Sequence, residues 1–131
     1  MNLEKLLTHL RDRLPDLLAV YLFGSQVTGD AGVDSDLDVA VLFAGTIEPL
    51  LLWRLSGELA DIVGVPVDLL DLRAASTVMQ HQVVTTGRRL WAKDSQAGVF
   101  ESFILSEKTA LDTARAGLLA DIRKDGKVYG R

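Results

Sequence analysis

Apolar and polar positions along the chain fall into blocks with distinct periods. Leu3, Leu6, Leu7, Leu10 and Leu14 recur at helical spacing, which predicts an amphipathic helix from about Asn2 to Arg13, ended by Pro15. Leu17 to Phe23 is a short apolar run with Val, Tyr and Phe, the mark of a buried strand. Leu37 to Phe43 is a second such run, closed by Gly45, and Val65 to Leu72 a third. Between the last two, residues from Glu48 to Val63 carry Leu51, Leu52, Leu55, Leu59, Ile62 and Val63 on one helical face, with Gly64 as a natural stop. Ala74 to Thr86 reads as a further helix ended by Gly87, and Arg89 to Ala92 as a short return segment. The last helix is predicted over about residues 98–123, before the polar tail KDGKVYGR. The pattern is mixed α/β (α+β): a small sheet flanked by helices, in one domain over residues 1–131.

Between the first two strands lies GSQVTGDAGVDSD, and the second strand is entered through Asp34, Asp36 and Asp38. Side chains two apart on a strand share a face, so Asp36 and Asp38 point one way while Leu37, Val39 and Val41 point the other. Two carboxylates held side by side repel unless a cation lies between them. Hard divalent cations such as Mg²⁺ take oxygen ligands from one or two carboxylates plus substrate phosphates. Asp-x-Asp pairs also arise by chance in so aspartate-rich a chain, and Asp34 with Asp36 makes a second one. Context adds weight. Asp68 interrupts the third apolar run, where a lone buried acid would be expensive, and an adjacent strand could bring it beside the pair. The plainer alternative for Asp68 is an edge-strand acid facing water or paired with Arg73 or Arg88. Asp71, three residues on, would face the opposite side.

Gly24 and Ser25 stand where the first strand ends. A glycine lets backbone approach a phosphate closely, a helix start offers unpaired N–H groups, and a serine hydroxyl can donate to a phosphate oxygen. Taken together, Gly24-Ser25, ten intervening residues and Asp36-Leu37-Asp38 resemble the G-S-x10-D-x-D signature of the DNA polymerase beta-like nucleotidyltransferases. The spacing matches without insertion, and the core resemblance covers about residues 17–92. The short chain resembles the minimal nucleotidyltransferase (MNT) branch in particular.

That resemblance implies transfer of a nucleoside monophosphate from a nucleoside triphosphate to an acceptor hydroxyl, with release of pyrophosphate. It implies that Asp36 and Asp38 hold two Mg²⁺ ions, that Asp68 completes a metal site and assists deprotonation of the acceptor, and that Gly24 and Ser25 bind the β- and γ-phosphates of ATP. Members of the MntA–HepT toxin–antitoxin type are paired with a HEPN-domain RNase toxin, and in that type the MNT partner transfers AMP to a toxin tyrosine and silences it. A non-catalytic binding antitoxin, and an enzyme acting on an antibiotic hydroxyl or a tRNA 3′ end, are the two other readings.

Charge and composition narrow the partners. With 18 acids against 14 bases the net charge is −4, which disfavours direct nucleic-acid binding because that requires Lys and Arg against phosphates. Hydrophobic residues at 48% and charged residues at 24% suit a folded protein rather than a disordered one. No cysteine is present, which removes disulfides and thiolate metal sites. The amino-terminal pattern of charges and leucines is neither a signal peptide nor an anchor, no apolar run approaches a membrane span, and cytoplasmic location is the expectation. His9 and His81 are too isolated to form a metal pair.

Overall fold

The computed structural model describes residues 2–24 and 36–107. In chain order these hold α1 (Leu3–Arg13), β1 (Leu17–Phe23), β2 (Leu37–Phe43), α2 (Pro49–Val63), β3 (Val67–Asp71), α3 (Thr77–Thr86), β4 (Arg88–Ala92) and a helix α4 over residues 96–107. The strands form one mixed sheet in the order β3-β2-β1-β4, with β1 antiparallel to both β2 and β4, and β2 parallel to β3. A parallel pair needs a crossover, and α2 supplies it.

Local chemistry sets where each helix begins. Asn2 caps α1 by accepting from the Lys5 backbone N–H at 3.0 Å. The helix expected from Ala74 begins later, at Thr77, because Ala74 and Ala75 close tight turns onto the carbonyls of Asp71 and Leu72. Ser76 then accepts from Met79 N–H at 3.2 Å and is the N-cap. Conversely, α4 starts two residues before the expected Gly98, since the Asp94 carboxylate accepts from Gln96 N–H at 2.9 Å. The expected reach of that helix beyond residue 107, with Leu111, Leu118, Leu119 and Ile122, lies outside the described residues. The third strand is also shorter than its apolar run, Val67–Asp71 rather than Val65 to Leu72.

The central strand β1 is buried at all seven positions, as befits a strand with neighbours on both edges and helices on both faces. On one face Val20, Leu22, Val39 and Val41 pack with Leu6 and Leu10 of α1 and Leu55 and Leu59 of α2. On the other, Tyr21, Phe23, Ala40 and Leu42 pack with Val83 of α3 and with Ala97, Phe100 and Ile104 of α4. Asp71 belongs to the first face: its register partner is Val41, it is buried, and it accepts from Ile47 N–H at 3.3 Å. The opposite facing of Asp68 and Asp71 follows from their odd spacing. His9, away from any metal pair, joins Arg13 on Glu58 and so ties α1 to α2.

One polar linkage crosses the second core. The Tyr21 hydroxyl donates to Glu101 Oε2 at 2.6 Å, and the same oxygen accepts from Arg89 Nη1 at 3.0 Å. Burial, and then the bond to Glu101, pushes the Tyr21 phenol upward, so it stays a neutral donor. Strand β1, strand β4 and α4 are thereby joined through one carboxylate. Replacing Tyr21 by phenylalanine removes the donor and is expected to cost about 1–2 kcal/mol in urea unfolding with an unchanged m-value.

Candidate active site

Strand geometry brings the acids together. In the parallel pair of β2 and β3, Asp38 lies directly opposite Asp68. Asp36 immediately precedes β2 and is two residues from Asp38, on the same face. Across the other edge of β2, Asp38 pairs with Phe23, the last residue of β1, so Gly24 comes next to it. Asp36 and Asp68 are exposed, whereas Asp38 is half-buried. The three acids therefore form a row at one end of the sheet, on the face that also carries Tyr21 and Phe23. Arg73 does not pair with Asp68; its Nε donates to the Phe43 carbonyl at the far end of β2.

Asp38 bears the electrostatic load. Burial, then the charges of Asp68 and Asp36, hold its carboxyl above the ordinary aspartate range. A site that raises an acid in this way has a surplus of negative charge, and a proton or a cation relieves it. The donor set is three hard carboxylate oxygen groups without sulfur, which suits Mg²⁺. Among the described residues no group of three or more acidic or histidine side chains already closes round one point. The row is open on its solvent side.

Gly24 has a role that its sequence position alone did not disclose. Its φ is +77°, in the left-handed region that favours glycine. A Cβ built on it would lie 2.2 Å from Asp38 Oδ2. The glycine therefore admits the Asp38 carboxylate against the end of β1 as well as leaving backbone open to a phosphate. Ser25, its expected companion, lies outside the described residues, as do Asp34 and Ser35.

The start of β4 is fixed to the same end of the sheet by another close approach. A Cβ on Gly87 would meet the Val83 carbonyl oxygen at 2.3 Å and that of Leu22 at 2.8 Å. Only glycine lets α3 end so tightly against β1. The helix-stop reading of Gly87 captured its position, but only the folded chain shows what it touches.

The family model described as polymerase beta, nucleotidyltransferase matches residues 4–96. The chain belongs to this nucleotidyltransferase family. It is similar to the protein adenylyltransferase MntA of Shewanella oneidensis, at 38% identity over 122 residues that cover 93% of this chain and 88% of the relative. Among solved structures it is similar to a toxin–antitoxin crystallised with AMP-PNP, with a TM-score of 0.81, 38% identity, and coverage of 94% of this chain and 99% of that one. A tri-AMPylated Shewanella oneidensis HEPN toxin in complex with its MNT antitoxin gives a TM-score of 0.73 at 37% identity, covering 92% and 94% of the two chains. The polymerase beta-like fold and the MNT branch expected from the G-S-x10-D-x-D spacing are borne out. Among the described residues of this nucleotidyltransferase, no helix is long and apolar enough to cross a membrane.

Proposed function

We propose that this nucleotidyltransferase is an antitoxin that moves AMP from ATP onto a tyrosine hydroxyl of a cognate HEPN-domain toxin and so neutralises it. The observation that carries the chemistry is the register of Asp38 with Asp68 beside Asp36, at the strand end where Gly24 opens the backbone. The acceptor follows from the relatives: one is a protein adenylyltransferase, and another is complexed with an AMPylated HEPN toxin.

In our reading Asp36, Asp38 and Asp68 hold Mg²⁺, two ions in all. When bound, Mg²⁺ supplies Lewis-acid stabilisation of phosphoryl and leaving oxygens. The three carboxylates would be its protein ligands, from adjacent positions at one end of the sheet. In this reading Asp68, exposed on the edge strand, accepts the proton of the tyrosine hydroxyl as its oxygen attacks the α-phosphorus. The bond from that phosphorus to the β-phosphate bridging oxygen breaks, and pyrophosphate departs with the electron pair. The Gly24 backbone, with the Ser25 hydroxyl, holds the β- and γ-phosphates. Positioning and charge neutralisation are most of what such a transfer asks of a protein.

Purified protein, ATP, Mg²⁺ and the co-encoded partner should give mass increments of one AMP each on the partner, localised to tyrosine by fragmentation. A partner that is inhibited without any adduct would replace catalysis by simple binding. An adduct on a small-molecule hydroxyl or an RNA 3′ end, with none on the partner, would replace the acceptor and keep the chemistry.

A further inference from the structure

A polar cavity lies at the opposite end of the sheet from the carboxylates. It has a volume of about 420 Å³ and lies between α1, the turn into β1, and the end of β4. Its walls include Arg11, Asp12, Leu14, Leu17, Trp91 and Lys93. Lys93 N–H bonds the Leu18 carbonyl near the start of β1, whereas Asp38 pairs with Phe23 at its end. Nothing in the nucleotidyl-transfer reading uses these residues.

The chemistry of this cavity is specific. The Arg11 guanidinium lies over the Trp91 ring, 4.8 Å from its centroid. A guanidinium held over an aromatic face is attracted by the ring and has five N–H donors in a fork that suits a bidentate anion. Among the described residues neither Arg11 nor Lys93 forms a close ion pair, although the Lys93 charge acts on the neighbouring Asp94, so both cations can still turn to an anion in the cavity. Asp12, also without an ion-pair partner there, supplies an acceptor on the same rim. Leu14 and Leu17 are buried and provide an apolar floor.

We propose that this cavity binds a nucleoside monophosphate, separately from the catalytic acids. Arg11 and Lys93 take the phosphate, Asp12 accepts from ribose hydroxyls as acids do in other nucleotide sites, and the planar base lies along the apolar floor and the Arg11–Trp91 stack. The volume is within the range of small-ligand sites. Two cations against one acid favour a singly esterified phosphate over a neutral nucleoside. The combination of planar, ionic and hydroxyl-accepting groups favours a nucleotide over a bare anion.

The test uses the full chain carrying Trp53→Phe, which leaves Trp91 as the sole tryptophan, because the sequence has two. AMP titrated into this protein should quench Trp91 fluorescence saturably, and also when Asp36→Asn and Asp38→Asn are added. Arg11→Ala should weaken AMP at least tenfold, Asp12→Asn several-fold, and Arg11→Lys to an intermediate degree with an unchanged circular dichroism spectrum. AMP transfer to the partner at saturating ATP should continue in Arg11→Ala, which separates this site from the catalytic one. Three results overturn the proposal: no response at millimolar AMP, equal affinity for inorganic phosphate and AMP, or AMP affinity unchanged by Arg11→Ala. Equal affinity for adenosine and AMP would likewise remove the phosphate from it.

Discussion

Replacing Asp36 and Asp38 together by asparagine is expected to lower AMP transfer by at least about 10³-fold while leaving the fold intact. The loss should fall on kcat, because asparagine keeps the shape but neither carries the charge that binds a hard cation nor holds it against a developing phosphate charge. Circular dichroism and thermal unfolding should show a folded protein, and without Mg²⁺ one at least as stable as the parent. The reason is the surplus charge. Asp38 is raised in the folded state by burial and by Asp68 and Asp36, so the folded protein binds its proton more tightly than the unfolded chain does. That contribution is fully present below the unfolded aspartate value and is lost as pH rises through the higher folded value. The metal-free parent should therefore lose stability across the window just above the ordinary aspartate range, the Asp38→Asn protein should not, and Mg²⁺ should restore the parent. Unchanged transfer in the double variant would sink the metal assignment.

Much of this arrangement is written in short-range patterns. The period of two places Asp36 and Asp38 on one face and Asp71 opposite Asp68, because strand alternation leaves a residue no other choice. The G-S-x10-D-x-D spacing carries the family. What the pattern does not contain is register across strands. The pairing of Asp38 with Asp68 and with Phe23 depends on how β3 and β1 slide against β2, which is decided by packing of the helices on both faces. The Tyr21–Glu101–Arg89 linkage joins residues 80 and 12 positions apart and leaves no local trace. Helix starts were displaced for a related reason. The carbonyls of Asp71 and Leu72 bind the backbone that Ala74 and Ala75 would otherwise have committed to a helix, and Asp94 caps α4 early.

Gly24→Ala should also damage transfer heavily, though less than loss of the acids, and by a different route. The added methyl meets two penalties at once. A φ of +77° costs a residue with a side chain about 1–2 kcal/mol. The Cβ would also lie 2.2 Å from Asp38 Oδ2, nearer than atoms can approach, so the carboxylate must rotate or the end of β1 must shift. Either movement takes Asp38 out of line with Asp68 and Asp36. A misplacement of this size at a reacting centre costs on the order of 10²-fold in rate. Unlike the aspartate variants, Gly24→Ala keeps all three charges, so weakened Mg²⁺ binding together with lower stability would mark displacement of Asp38. If Gly24→Ala lost affinity for ATP while Mg²⁺ binding, measured without nucleotide, stayed at the parent level, the glycine would serve phosphate alone. Gly24→Ser adds the same Cβ and a hydroxyl, and should fail equally if the steric conflict with Asp38 governs.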